Sequence, residues 1–300
     1  MSYRRPRVSI GLPVYNGERF IKQALDSILA QTFEDFELII SDNVSTDQTQ
    51  AICAEYLRRD KRIRYFRNDL NIGVYRNCNR VFELSSGEYF KLAAADDICH
   101  PNLLAQCVKV LDDNPTVVLV YPKTSFIDEN GKELSLTDPG WDLRSDTATD
   151  RMRYVISSGH WVNALFGLIR SGDLAKTRLL PTYNSGDYRL LGELSLRGKF
   201  FETPESLFYR RIHSEASSQN TDEQWQAKHF TGRSGFMSCV LWRLCFDHAV
   251  SVFSSQLNVT QKLSLISCIL GRMVSGRRRL FMELAIAFNG YGKSVLRAKQ

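Results

Sequence analysis

The chain has 300 residues, 43% of them hydrophobic, which is enough for a substantial buried core in one large domain or two. Its seven cysteines are scattered and none forms a C-x-x-C pair, so neither a disulfide framework nor a zinc site is indicated, and a reducing, cytosolic compartment fits best. The net charge of +6 lies unevenly: residues 1–222 hold 28 Lys and Arg against 30 Asp and Glu, whereas residues 223–300 hold 11 against 3. This asymmetry predicts a boundary near residue 222.

No segment of the sequence predicts a helix inserted in a membrane. The opening residues, MSYRRPRVSI, carry charge but lack the apolar core of a secretory signal. No apolar run approaches the roughly 18 residues that a spanning helix needs. We therefore expect a cytoplasmic protein that is soluble or at most peripheral on the cytoplasmic face of the membrane.

The first 121 residues alternate between strand and helix patterns. Apolar runs at RVSIGLPVY, FELIIS, IRYF, EYFKLA and TVVLVY predict five strands, and a helical segment lies between each pair of neighbours. The second helix is expected to begin with a capping box formed by Ser45 and Gln48, and Pro101 suits the first turn of the fourth. Such alternation predicts a mainly parallel sheet with helices on both faces.

Several polar or aromatic residues follow the predicted strands directly. Pro13–Tyr15, Asp42 and Asp96 each stand at the carboxyl end of a strand, and ligands of open α/β sheets bind along that edge. We therefore expect these residues to line one rim. The adjacent carboxylates of Asp96 and Asp97 either face a bound cation there or are solvated turn and helix-cap residues.

The pattern becomes mixed from about residue 150 onward. NALFGLIR predicts a strand, SGDLAKT the start of a helix, GDYRLLGELSLRG an amphipathic helix, and SLFYRRIH a short strand followed by a polar loop. The last 70 residues predict three helices, at FMSCVLWRLCFDHAVSVF, TQKLSLISCILGRMV and RRRLFMELAIAF. A C-terminal helical extension thus follows the α/β region.

Five blocks in order, contained in the stretches VSIGLPVYNGERFIKQALDSILAQTFEDFELIISDNVSTDQT, NIGVYRNCNRVFELSSGEYF and AADDICHPNLL, resemble the glycosyltransferase family 2 pattern. The resemblance covers about residues 7–215. It implies a GT-A (Rossmann-like) fold, a nucleotide-diphosphate-sugar donor linked to UDP or dTDP, a Mg²⁺ or Mn²⁺ cofactor, and inversion at the anomeric carbon. The acceptor would be a hydroxyl of a glycan or a lipid-linked molecule, in the synthesis of surface polysaccharide or another glycan.

The resemblance implies a base-binding role for the ends of the first two strands. Pro13 and Tyr15 match a segment that lines the base pocket, and an aromatic ring there can stack on a nucleobase. Asp42 matches an aspartate that accepts a hydrogen bond from uracil, and Asn79 in the third block is assigned to nucleotide binding as well. Read alone, Pro13 and Tyr15 are equally a strand-end turn with a core tyrosine, and Asp42 a turn residue.

The resemblance places the metal at Asp96, in the position of the second aspartate of the family's D-x-D motif. The carboxylate of Asp96 would bind the cation and the donor, with Asp97 and His213 as further ligands, because Mg²⁺ and Mn²⁺ prefer oxygen and share their shell with substrate phosphates. Ala94 stands where the first aspartate of the motif would be. The alternative for Asp97 in particular is a cap of the following helix.

Asp187 matches the aspartate of an E-D pair before a helix, where the family has its general base. The reaction needs a carboxylate on the acceptor side to take the proton of the acceptor hydroxyl. The glutamate that usually precedes it is here Gly186, and an N-terminal helix cap is the alternative role for Asp187.

The segment YRRIHSEASS resembles the family's R-x-H segment at the start of a mobile loop. It implies that Arg210 and Arg211 contact phosphate and that His213 binds the metal or the diphosphate. The alternative is that these side chains are solvated at the surface. His160 and Trp161 match a region that shapes the acceptor site, although a core tryptophan would fit equally.

Two features leave alternatives open. Ala94 and Gly186 allow a non-catalytic nucleotide-sugar binding or scaffold protein of the same fold. The basic residues 223–300 could lie on an anionic membrane, or form a dimerisation or lid element with solvated basic faces. Nucleic-acid binding is not expected, because this region has no known motif and the main domain is acidic.

Overall fold

The computed structural model describes residues 5–141, 143–158, 163–216, 220, 222–231 and 239–297. Within these ranges nine strands form one sheet. They are β1 (Val8–Val14), β2 (Phe36–Asp42), β3 (Ile63–Arg67), β4 (Tyr89–Leu92), β5 (Ile98–Cys99), β6 (Val117–Ile127), β7 (Glu133–Leu134), β8 (Leu168–Arg170) and β9 (Lys199–Arg211). The strand order is β3-β2-β1-β4-β8-β6-β9-β5, with β7 paired to β6.

The sheet is mostly parallel where the sequence alternates most regularly. β3, β2, β1 and β4 are all parallel neighbours, and β6 and β9 pair in parallel as well. β8 runs antiparallel to both β4 and β6, and β5 runs antiparallel to β9. The predicted mainly parallel α/β sheet is confirmed, with an antiparallel β8 inserted at its centre.

Helices cover both faces of the sheet. They are α1 (Ile21–Leu29), α2 (Thr49–Arg59), α3 (Val74–Glu83), α4 (Leu103–Asp113), α5 (Ala148–Ser157), α6 (Ser171–Leu174), α7 (Gly186–Ser195), α8 (Glu223–Thr231), α9 (Val240–Phe253), α10 (Val259–Ser275) and α11 (Arg277–Arg297). Leu38 and Ile40 of β2 pack into one hydrophobic cluster with α1, α2 and α4, while Ile39 packs into a second with α3, α5 and α7. Because successive side chains point to opposite faces, a continuous apolar strand feeds both clusters.

The C-terminal helices pack on the main domain. Met152 and Ile156 of α5 share a third hydrophobic cluster with residues of α9, α10 and α11, among them Leu265 and Ile269. The predicted helical extension is therefore present and lies against α5. The boundary near residue 222 remains a prediction from charge.

Two local predictions are wrong. Ser45 and Gln48 form no capping box: α2 begins at Thr49, and its first N–H groups bond to the loop instead, with Thr49 N–H donating to Asp47 Oδ1 at 3.0 Å. The expected strand over NALFGLIR is a 3₁₀ helix at Asn163–Phe166 followed by the short β8. Gly167 between them lies so close to β6 that an added Cβ would stand 2.4 Å from Val120 O.

No helix in the described part of the chain is both long enough and apolar enough to span a bilayer.

Candidate active site

The loops that follow β1 and β2 are fastened together by bonds between the backbone of one and the side chains of the other. Asn16 N–H donates to Ser45 Oγ at 2.9 Å, and Thr46 N–H donates back to Asn16 Oδ1 at 2.8 Å. Gly17 N–H donates to Thr49 Oγ1 at 2.8 Å. Asn16 has a φ of +50°, which asparagine tolerates better than most residues. The two strand ends therefore form one fixed rim.

Tyr15 and Asp42 lie at the same edge of the sheet, as the sequence predicts. The register of β1 and β2 pairs Pro13 with Ser41 and Val14 with Asp42. Pro13 is half-buried, whereas the side chain of Tyr15 at the end of β1 is 47% exposed. Tyr15 is thus exposed beside the strand ends, where a nucleobase could stack on its ring.

Asp42 is fully buried and its carboxylate already accepts several hydrogen bonds. Ser45 N–H donates to Oδ1 at 2.8 Å, and the Tyr65 hydroxyl donates to Oδ2 at 2.7 Å. The guanidinium of Arg67 also donates to Oδ2 and forms an ion pair with it. A base would have to displace one of these donors to reach the carboxylate. Arg67, whose side chain is 31% exposed, is a candidate site residue that no sequence pattern had indicated.

Four asparagines hold the segment before α3 against the end of β2. Asn68 Nδ2 donates to the Oδ1 atoms of Asn43 and Asn77, at 2.9 and 3.0 Å. Asn43 Nδ2 donates in turn to Asn71 Oδ1 at 2.8 Å. Because buried amides are costly unless bonded, this network fixes the loop that borders Asp42.

Asn79 lies apart from this network. Its Nδ2 donates to Leu180 O at 2.9 Å, and Leu180 N–H donates to its Oδ1 at 3.0 Å. Both ends of the amide thus tie α3 to the segment that leads into α7. This geometry favours a structural role and gives no support to the predicted nucleotide contact.

Asp96 and Asp97 point in different directions. The Asp96 side chain is 33% exposed, and its Oδ2 lies 2.9 Å from His213 Nε2. Asp97 is buried, and its Oδ1 accepts the Arg211 N–H at 2.9 Å. Burial, reinforced by the charge of Asp96, raises the pKa of Asp97 well above its ordinary value. Asp96 is therefore the accessible carboxylate of the two, and the geometry of Asp97 favours a link to β9 over the predicted metal ligation.

Arg211 fixes the position of Asp96. Its side chain is buried, and Nε donates to Asp96 O at 2.9 Å. Nη1 donates to the carbonyls of Asp128 and Glu129, both at 3.0 Å, and Nη2 donates to Gln23 Oε1 at 2.6 Å. With its donors directed at neighbouring protein oxygens, Arg211 acts as a positioning residue, and its placement does not support the predicted phosphate contact.

Asp96 and His213 together form a donor set that fits a divalent cation. The His213 ring packs on Phe20 with the centroids 4.9 Å apart, and its buried Nδ1 has no hydrogen-bond partner among the described residues. No group of three or more His, Cys, Asp or Glu side chains suited to a metal occurs in the described ranges. One carboxylate and one imidazole suit a Mg²⁺ or Mn²⁺ ion that takes its other ligands from water and phosphate oxygens.

The charge of Arg210 acts on both carboxylate positions of the candidate site. Its Nη1 donates to Asn163 Oδ1 at 2.6 Å, and Asn163 Nδ2 donates to Asp138 Oδ2 at 2.6 Å. The positive charge of Arg210 favours the ionised forms of both Asp97 and Asp187. Arg210 is thus held in place by Asn163 and, through it, by Asp138, two residues that no motif in the sequence had indicated.

Asp187 lies in the first turn of α7. The sequence predicts either a general base or a helix cap at this position. Burial raises the pKa of the Asp187 carboxyl. Hydrogen bonds from Tyr188 N–H and from its own N–H act in the opposite direction and lower it. A raised pKa makes a carboxylate a better proton acceptor. Gly186 also has a local explanation, because an added Cβ would stand 2.6 Å from Pro181 Cγ. The glutamate of the family pattern has no room here.

The two remaining acceptor-side candidates, His160 and Trp161, lie outside the described residues.

Solved structures of similar fold include glycosyltransferases. The structure of Staphylococcus aureus TarS 1–349 in complex with UDP matches with a TM-score of 0.64 and 19% identity, covering 90% of this chain and 72% of that one. The mannosyltransferase PcManGT from Pyrobaculum calidifontis, in complex with GDP-Man and Mn²⁺, matches with a TM-score of 0.53 and 16% identity, covering 98% of this chain and 81% of the other. At these identities the likeness concerns the fold alone, and it confirms the predicted GT-A fold.

Curated proteins with a similar sequence include a glycosyltransferase and a chondroitin synthase. An uncharacterized glycosyltransferase of Methanocaldococcus jannaschii, MJ1057, is 34% identical over 137 residues, which are 45% of this chain and 47% of that protein. The chondroitin synthase of Escherichia coli is 26% identical over 227 residues, covering 76% of this chain and 32% of that protein. The chain thus spans less than half the length of these two relatives. The model of glycosyl transferase family 2 matches residues 9–166, more than half of the sequence, and the chain therefore belongs to that family.

Proposed function

We propose that this chain transfers a sugar from a nucleoside-diphosphate sugar, UDP- or dTDP-linked, to an acceptor hydroxyl with inversion at the anomeric carbon. The observation that carries the proposal is the combination of a partly exposed Asp96 beside His213 with a second carboxylate, Asp187, in the first turn of α7. The charge of Arg210 acts on the Asp96–Asp97 pair through Asp97 and on Asp187 as well.

In this proposal the donor binds along the rim formed by β1, β2 and β4. The base stacks on Tyr15 beside Pro13, and it exchanges hydrogen bonds with the Asp42–Arg67 pair. The diphosphate lies towards Asp96 and His213. A Mg²⁺ or Mn²⁺ held by Asp96 and His213 would supply positive charge for the diphosphate as it leaves.

Asp187 acts from the opposite side. Its carboxylate removes the proton of the acceptor hydroxyl as that oxygen forms a bond to the anomeric carbon. The bond from that carbon to the diphosphate oxygen breaks at the same time, and the electron pair leaves with the nucleoside diphosphate. Attack opposite to the leaving group inverts the configuration, and a base with a raised pKa is suited to the proton transfer.

Arg210 completes the charge balance of the cleft. Its guanidinium can bind a phosphate oxygen of the donor while Asn163 keeps it in place. The acceptor in this proposal is a glycan or a lipid-linked molecule, in polysaccharide or other glycan synthesis. A cytoplasmic location belongs to the same proposal, because all seven cysteines are unpaired, as in a reducing compartment.

The experiment is an assay of released nucleoside diphosphate against a panel of nucleotide sugars with Mg²⁺ or Mn²⁺. We expect release from at least one UDP- or dTDP-linked donor, accelerated by an acceptor glycan and abolished by EDTA. Donor binding without any release, across the whole panel and with acceptors present, would favour the alternative of a non-catalytic nucleotide-sugar binding protein.

A further inference from the structure

Helix α10 carries an apolar stripe on the side that faces away from the protein. Its buried residues Leu265 and Ile269 pack into the cluster shared with α5 and α9. Four large apolar residues on the same helix are more than half exposed: Val259, Leu263, Leu270 and Val274. At about 100° per residue these four fall within a narrow arc, roughly opposite Leu265 and Ile269. The helix is therefore apolar on two sides, and only one side is used by the fold.

The segment of sequence that carries this stripe is basic and lacks acidic residues. No Asp or Glu occurs between Asp247 and Glu283, a segment that contains all of α10 and the start of α11. The same segment holds five basic residues: Lys262, Arg272, Arg277, Arg278 and Arg279. Arg277 and Arg278 are exposed and come directly after the stripe, and the exposed Phe281 follows them. Arg279 forms an ion pair with Glu283, so the apolar surface is combined chiefly with the positive charges of the exposed Arg277 and Arg278.

We propose that the stripe and its arginines form a docking surface for an anionic lipid bilayer. An exposed apolar row of this size marks an interaction site, and basic residues beside it favour negatively charged headgroups. A second copy of this chain is a poorer occupant, because two such faces would bring like charges together. Since no helix in the described ranges can span a membrane, α10 would lie in the interface. The proposal is independent of sugar transfer.

The experiment measures co-sedimentation of the full chain with vesicles of phosphatidylcholine alone or mixed with phosphatidylglycerol, at low and high salt. Leu263→Glu/Leu270→Glu interrupts the stripe, and Arg277→Gln/Arg278→Gln removes charge without touching the core. The matched controls change exposed residues of the same types elsewhere: Leu57→Glu/Leu136→Glu and Arg58→Gln/Lys61→Gln. The oligomeric state of each variant is measured by light scattering.

We expect binding to the anionic vesicles only, weakened by salt and reduced at least about tenfold by either α10 or α11 variant. The control variants should bind as the wild type does. Equal binding to neutral vesicles, unchanged binding of the arginine variant, or a dimer that the stripe variant dissociates in the absence of lipid binding would each overturn the proposal. The arginine variant keeps the test decisive if the leucine variant fails to fold.

Discussion

The nucleotide rim and the surroundings of Arg210 are built in different ways. At the rim, the loops after the adjacent parallel strands β1 and β2 bond to each other, as when Asn16 bonds to Ser45 and Thr46. Arg210 of β9 depends instead on Asn163 in a 3₁₀ helix and, through it, on Asp138 in a loop. The regular alternation of strands and helices therefore indicates the rim, whereas no periodic pattern indicates the surroundings of Arg210.

Asp96→Ala gives the largest expected effect, because it removes the one carboxylate that faces the cleft beside His213. Transfer should fall at least about a thousandfold, since charge on the leaving diphosphate would lose its neutralisation. The rate of nucleoside diphosphate release measures this. The matched control is Asp97→Asn, whose side chain can still accept the Arg211 N–H and which should stay within about tenfold of wild type. Equal losses in both variants, or wild-type turnover unaffected by EDTA, would contradict the distinction between the two carboxylates.

Asn163→Ala should have a smaller effect, because it removes the partner of Arg210 and leaves the arginine present. We expect a loss of about tenfold in kcat/KM, carried mostly by the donor KM. Asn163→Asp keeps an acceptor for the guanidinium and should recover part of the loss. Steady-state kinetics with varied donor separate KM from kcat. An unchanged donor KM in Asn163→Ala would contradict the role given to the Asp138–Asn163–Arg210 chain.

His248 provides the smallest predicted effect, on stability alone. His248 lies on α9 and is buried against α7. Burial lowers its pKa to about 4. In the unfolded chain this histidine takes up a proton near pH 6.5, whereas in the folded chain it does so only near pH 4. The free energy of unfolding therefore falls as the pH drops through this window. The loss from this residue is about 2 kcal/mol at pH 5 relative to pH 7.5. His248→Gln should flatten the pH dependence of urea unfolding, though only in part, because burial lowers the pKa of His229 to about 4 as well.

Much of the fold follows from the sequence, because strand and helix periods are local. The five predicted strands of the first 121 residues all occur, and Tyr15 and Asp42 lie at the ends of β1 and β2 as expected, whereas Asp96 lies in the loop between β4 and β5. β8 falls within the strand predicted over NALFGLIR, but its antiparallel pairing with β4 and β6 was not predictable, because pairing and the close backbone approach at Gly167 depend on distant residues.

Within the candidate site, the directions of the side chains were what the sequence could not predict. The sequence does not indicate which way each of two adjacent aspartates points. In the structure Asp96 is partly exposed beside His213, whereas Asp97 bonds to β9. The same holds for Arg210 and Arg211, since alternation along β9 sends one to Asn163 and buries the other beneath Asp96. Asn163 and Asp138 belong to no motif and became visible only through their contacts.

The most direct test of the account is Asp187→Asn, measured for both nucleotide binding and transfer. The amide keeps the shape and most of the capping ability of the side chain but cannot take a proton. We expect UDP to bind with Mn²⁺ about as tightly as in the wild type, the melting temperature to stay similar, and transfer to fall at least about a hundredfold. Normal turnover by a folded Asp187→Asn protein would contradict the account, because Asp187 would then be only a helix cap and the proton acceptor would lie elsewhere.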